Sequence, residues 1–170
     1  MSVSESARSL RVAPELAVEI AALNADCAAA LDGRRYADWL ALFARECAYW
    51  LQPRENHDRG LPLCTMALES RGMLMDRIYG IENTLFHQPY YQRHVLGVSR
   101  VLALQGPDGD CLHTETAYAV FRTRHAEPGE VFNVGRYLDR LIREDGELRI
   151  AERRAVFDSE LVPNSVIYPI

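Results

Sequence analysis

His57 and Asp58 stand side by side in the stretch ENHDRG, residues 55–60, and His94 follows in PYYQRH. Two imidazoles and a carboxylate are the donor set of the facial triad that holds ferrous iron, so metal binding is the first chemistry to weigh. Their spacing argues against it. Ligands on one side of a backbone come from positions four apart on a helix or two apart on a strand, and the chain contains no HExxH, HxxxxH or DxxHxxxxH. Cys111-Leu112-His113 is half of the pattern that holds a Rieske cluster. No cysteine follows Cys111, so the second half is missing and the pair reads as a strand segment with a thiol and an imidazole on one face.

Acid–base chemistry is the next option. Alternation places Gln92, His94, Leu96 and Val98 on one face of a strand, and Cys111, His113, Glu115, Ala117 and Ala119 on one face of the next. If both faces point inward, His94 and Glu115 form a buried pair with shifted pKa values. Otherwise His94 sits near the sheet end, bonded to the main chain or to a partner chain. All 19 basic residues are arginines, which removes lysine Schiff-base and lysine-base mechanisms. No GxSxG and no phosphate-cradling glycine loop is present.

These residues must be positioned by a frame the sequence also describes. Residues 1–13 are small and polar and are expected to form a flexible N-terminus, with 14–170 a single domain. From Pro14, Leu16, Ile20, Leu23, Cys27 and Leu31 repeat at helical spacing up to Gly33. RRYADWLALFARE predicts a short second helix, CAYWLQP a strand, LPLCTMAL another extended piece, and ESRGMLMDRIYGIENTL a third helix ended by Pro89. Four long alternating runs follow: YQRHVLGVSRVLALQ, CLHTETAYAVFRTRH, EVFNVGRYLDRLIRE and ELRIAERRAVFD. GPDGD, AEPG and DG separate them, so neighbours are expected to pair as antiparallel hairpins. The predicted fold is α+β: a strongly curved, mostly antiparallel sheet wrapped around three N-terminal helices, a cone of the nuclear-transport-factor-2-like kind.

Composition narrows the function. Among 170 residues 48% are hydrophobic and 25% charged, which is ordinary for a globular chain. No apolar run reaches the roughly 20 residues that cross a bilayer, and the start lacks a secretory h-region, so no membrane association and a cytoplasmic location are expected. The net charge of −5 is spread along both halves without a basic stripe, which disfavours nucleic acid. The four cysteines form no CxxC pair and are expected reduced. ENHDRG, PYYQRH and ERRAVFDS remain as three arginine-containing clusters, the second also carrying two tyrosines, of the residue types favoured at protein interfaces.

The run YWLQPRENHDRGLPLCTMALESRGMLMDRIYGI, then FHQPYYQRHVLG, then GRYLDRLIREDGELRIAERRAVFDS resembles the small, or β, subunit of Rieske non-haem iron aromatic-ring-hydroxylating oxygenases. LQPREN(x)DRGLP and YYQRH(x)xG look closest to the salicylate 5-hydroxylase group, with anthranilate and terephthalate dioxygenases near by. The resemblance implies the cone fold and a three-plus-three hexamer with large (α) subunits. It also implies that the Rieske 2Fe–2S cluster, the mononuclear Fe(II) and the substrate pocket belong to the large subunit, with none of these cofactors in this chain. Electrons would come from NADH through a reductase, sometimes with a ferredoxin. The expected function is then a non-catalytic small subunit of an oxygenase acting on a carboxylated aromatic such as salicylate, which it would 5-hydroxylate to gentisate. Candidate subunit-interface residues are His57, Asp58, Arg59, Tyr90, Tyr91, Arg93 and His94. Two alternatives stand beside this reading: a free-standing isomerase, dehydratase or cyclase using His94 with a nearby acid, and a small-ligand-binding homo-oligomer.

Overall fold

Pro14 opens the longest helix, at the position where a missing backbone N–H does no harm. The computed structural model describes residues 8–106, 110–159 and 166–170. The expected frayed N-terminus falls largely on residues 1–7, outside the described residues, whereas the Leu10 N–H bonds to the Val101 carbonyl at 2.8 Å. Helix α1 spans Pro14–Asp32 and buries Ile20, Leu23, Cys27 and Leu31, the stripe that the spacing predicts. Helix α2 covers only Tyr36–Ala41, because Phe43 already begins strand β1, Phe43–Pro53. Trp39 explains the early switch. It is fully buried and packs edge-on against Phe43 at 4.9 Å and Tyr49 at 5.8 Å, which draws both strand residues into the core.

ENHDRG is not an irregular loop: Arg54–Asp58 forms a short helix, α3. Strand β2 is limited to Met66–Leu68. Helix α4, Arg71–Tyr79, starts where the Ser70 hydroxyl accepts the Met73 N–H, and it continues into a π turn, Gly80–Thr84. Strands β3 Tyr90–Leu96, β4 Arg100–Gln105, β5 Cys111–Arg124, β6 Glu130–Glu144 and β7 Glu147–Phe157 complete the order. Among the described residues the sheet has seven strands, in the order β2-β1-β7-β6-β5-β3, with β4 also paired to β5.

Two features depart from a simple hairpin meander. The run 91–105 divides, since β3 and β4 lie in succession along the same side of β5. His94 pairs with Val120 and Leu96 with Tyr118, but Arg100 pairs with Glu115, so one extra residue enters between them and resets which side chains face inward. The other departure is β1, which pairs in parallel with β7 from Ala48↔Glu152 to Pro53↔Phe157. The remaining pairs are antiparallel.

The inner face of the sheet carries Leu112, Val120, Tyr137, Leu141, Ile150 and Phe157, which join α1, α2 and α4 side chains in one buried cluster. Each such large apolar side chain contributes roughly 1.5–3 kcal/mol by leaving water. Where β6 crosses β7, a Cβ on Gly135 would meet the Val156 carbonyl oxygen at 2.1 Å, so only glycine permits the approach. Val166, Tyr168 and Ile170 return to this interior and are buried. The Tyr49 hydroxyl holds Ile170 at both its N–H and its carbonyl, each at 2.9 Å.

Candidate functional site

The candidate residues separate onto two faces of the sheet. His94 belongs to the inner face, and its side chain is fully buried. Its Nδ1 lies 2.6 Å from Asp32 Oδ1, and its backbone N–H donates to the same carboxylate at 3.1 and 3.2 Å. Strand β3 ends the sheet path, and an open strand edge invites wrong pairing. The C-terminus of α1 closes it. Asp32 takes the His94 N–H, and after the turn at Arg34 (φ 53) the Arg34 guanidinium donates to the Tyr90 carbonyl at 2.7 Å. Arg93, whose side chain is 75% exposed, approaches Asp32 from outside at 3.5 Å.

The expected His94–Glu115 pair is not formed. In register, His94 opposes Val120, which shares the inner face with Leu112 and Thr114, while Glu115 points outward and pairs with Arg100 at 2.7 Å. The acid beside His94 is Asp32, whose carboxylate serves as a clamp on backbone and ring together. A cavity of about 630 Å³ lies between Ser9–Val12, α1 and the Leu96–Val101 corner, and neither His94 nor Asp32 lines it.

Deeper on the inner face, sequence reasoning missed a second polar centre. Arg153 is buried and makes two bonds to Asp139, at 2.9 and 2.7 Å, with Asn24 and the Cys27 Sγ completing its donors' partners. Its guanidinium lies 4.2 Å above the Tyr137 ring. Burial pushes the Cys27 thiol up, so it stays protonated. The signal available in sequence was ERRA, where Arg153 takes the inward position and Arg154 the outward one.

On the outer face, α3 lies against an ionic ladder. Asp58 reaches Arg54 at 3.3 Å and Arg136 at 3.8 Å. Arg136 reaches Glu115 at 3.8 Å, and Glu115 continues to Arg100. Arg59 pairs with Glu55 at 3.0 Å, and Arg154 lies 4.4 Å over the Trp50 ring. Burial, together with the nearby Arg136 guanidinium, lowers the His57 pKa from its ordinary value. Beside the ladder runs an apolar row. Val95, Ala119 and Val134 are aligned in register, as are Phe121 and Val131, and Tyr91 shares their face at 72% exposure.

His57 and Asp58 therefore sit on the outer face and His94 on the inner, so the three do not converge as metal ligands. Cys111 and His113 share the outer face, as their spacing predicts, without a second Cys–His pair. Among the described residues no group of three His, Cys, Asp or Glu is placed to hold a metal ion, and the residues present do not fit either iron centre.

A family model described as the ring hydroxylating beta subunit matches residues 27–164. The chain belongs to this family. The β subunit 2 of the terminal oxygenase component of terephthalate 1,2-dioxygenase from a Comamonas species is 33% identical over 153 residues, covering 90% of this chain and 97% of that one. The small subunit of anthranilate 1,2-dioxygenase from Burkholderia cepacia is 29% identical over 82% of this chain and 85% of its own length. A crystal structure assigned as the β subunit of an aromatic-ring-hydroxylating dioxygenase from Novosphingobium aromaticivorans superposes with a TM-score of 0.83 at 31% identity, covering 94% of this chain and all of that one. The open, curved α+β sheet of the β subunit is thus the fold that the sequence predicts. The helices expected inside it are in place, and α3 adds a fourth on the opposite face.

Proposed function

We propose that this β subunit is the non-catalytic small component of a Rieske-type oxygenase acting on a carboxylated aromatic, with salicylate, converted to gentisate, as the leading substrate. The observation that carries the reading is the match along most of the chain to subunits of oxygenases named for terephthalate and anthranilate, both aromatic carboxylates. In this reading the large subunit holds the Rieske cluster and the mononuclear iron, which supply electron transfer and oxygen activation, and NADH feeds it through a reductase. The assembly is a cytoplasmic three-plus-three hexamer.

The contribution of this chain is to hold large subunits in register. Its outer face supports that role, because an exposed apolar row beside charges already paired within the chain is a surface a partner can cover without stranding ions. Tyr91 and Arg93 flank the row, and His57, Asp58 and Arg59 border it. Tyr90 and His94 act from beneath, by fixing the edge strand that carries Tyr91 and Arg93. An association of this permanence is expected to bury more than about 2,000 Å².

Co-expression with the large subunit, followed by purification on a tag carried by this chain, tests the reading. A brown complex that consumes NADH and oxygen with salicylate once reductase is added is the expected result. Turnover by the isolated chain, abolished by His94→Ala, would overturn it. A complex that oxidises anthranilate or terephthalate and leaves salicylate untouched would overturn the substrate assignment alone.

A further inference from the structure

Tyr168 is held the way a ligand is held. Its side chain is buried, and every wall of its pocket comes from distant parts of the chain. The Tyr90 ring lies 4.7 Å away, tilted, and the His87 ring meets it edge-on at 5.1 Å. Tyr36 closes a third side at 6.2 Å, and the Arg34 guanidinium stands 5.5 Å above the Tyr168 ring. An electron-rich ring under a cation between aromatic edges is a favourable arrangement.

The polar contact is selective. The His87 Nδ1 lies 3.2 Å from the Leu85 carbonyl, which makes Nδ1 the donor nitrogen and leaves Nε2 as an acceptor. Nε2 receives the Tyr168 hydroxyl at 2.6 Å. Burial pushes the Tyr168 pKa up, so the hydroxyl remains a donor at neutral pH. With the ring neutral, a bare hydrocarbon cannot make this bond; a phenol can.

The segment that delivers Tyr168 is attached by side chains. Arg77 donates to the Val166 carbonyl at 3.0 Å and the Ile167 carbonyl at 2.5 Å, and Tyr49 holds Ile170. Among the described residues no hydrogen bond between backbones ties 166–170 to a strand. The segment's side chains are nevertheless packed in the core, with Val166, Tyr168 and Ile170 all buried, so the pocket stays filled until the Tyr168 ring gives way.

We propose that the pocket formed by Arg34, Tyr36, His87 and Tyr90 is a binding site for small single-ring phenols, in which Tyr168 is the built-in competitor. The site lies on the inner face and shares Tyr90, and the Arg34 bond to its carbonyl, with the β3 edge beneath the surface assigned to the large subunit, but its test needs no large subunit.

Two measurements on the full-length chain test it. In Tyr168→Ala, calorimetry is expected to show 4-methylphenol binding about tenfold more tightly than toluene, the worth of one hydrogen bond, and His87→Phe in the same background is expected to erase the difference. In wild-type chain labelled with 3-fluorotyrosine, 4-methylphenol but not toluene is expected to shift the Tyr168 fluorine signal, identified by its loss in Tyr168→Phe. Equal affinity for the two compounds, or no binding, overturns the proposal. So does binding in the variant with no shift in the wild type, which would reduce the pocket to an engineered cavity. If Tyr168→Ala does not fold, the wild-type signal decides alone.

Discussion

The two faces of one sheet use the same ionic vocabulary in opposite ways. Inside, Asp139 and Arg153 meet with side-chain exposures of 0% and 2%, and Asp32 meets a fully buried His94. Outside, Asp58, Arg136 and Glu115 meet at longer distances and with part of each side chain in water. Burial strips a charge of its water, so an inner pair must be complete: once one member is gone, solvent cannot compensate the other. The outer pairs are screened, and each contributes little to stability. The inner groups therefore specify the fold, whereas the outer ones, already paired with one another, leave it little changed when replaced.

Asp139→Ala is the most severe challenge to this division. It leaves the Arg153 guanidinium buried without its counter-ion and is expected to cost about 3–5 kcal/mol, read as a fall in the denaturant midpoint; a cost below that of any outer-face substitution would dissolve the distinction. Asp32→Ala comes next. It strips the His94 ring and backbone N–H of their acceptor, an expected loss of about 1–3 kcal/mol, and hydrogen exchange should quicken along Tyr90–Leu96 first. Asp58→Ala is expected to change the stability of the isolated chain by less than about 1 kcal/mol, yet to lower recovery of the large subunit in co-purification. Normal recovery would remove α3 from the contact surface.

The smallest effect concerns pH. His57 has a lowered pKa in the folded chain, so the unfolded chain takes up its proton first as pH falls. Stability is therefore intact above the ordinary histidine value of 6.5 and declines below it. Because the ring is only partly buried, the decline is well under about 1 kcal/mol. His57→Gln should flatten the fall in melting temperature below pH 6.5, and an unchanged slope would assign it to other groups.

Much of the frame is legible in the sequence. The stripe from Ile20 to Leu31 marks α1, and the glycine-containing connectors mark the β5–β6–β7 hairpins, because helical spacing and turn chemistry are local properties. The faces are harder. Alternation groups residues without saying which group is inside, and the extra residue between Leu96 and Arg100 changes phase midway, so alternation alone makes neighbours of His94 and Glu115, which lie on opposite sides. The relative bulk of Leu112, Tyr118 and Val120 against Ala117 and Ala119 is the available clue. Asp32 carries no local signal at all, since its partner is 62 residues away. The parallel β1–β7 pair is hidden for the same reason: no turn joins the two strands.

That last pairing has a consequence in time. Strand β1 ends at Pro53, and its neighbour β7 begins only at Glu147, so a nascent chain must hold an apolar, β-prone strand with one edge unpaired, the other meeting only the short β2, while on the order of 100 further residues are added, roughly 5–20 s at ordinary ribosomal speeds. Chaperone demand should therefore concentrate on this interval, and fragments ending before Glu147 should precipitate even though they contain every described helix.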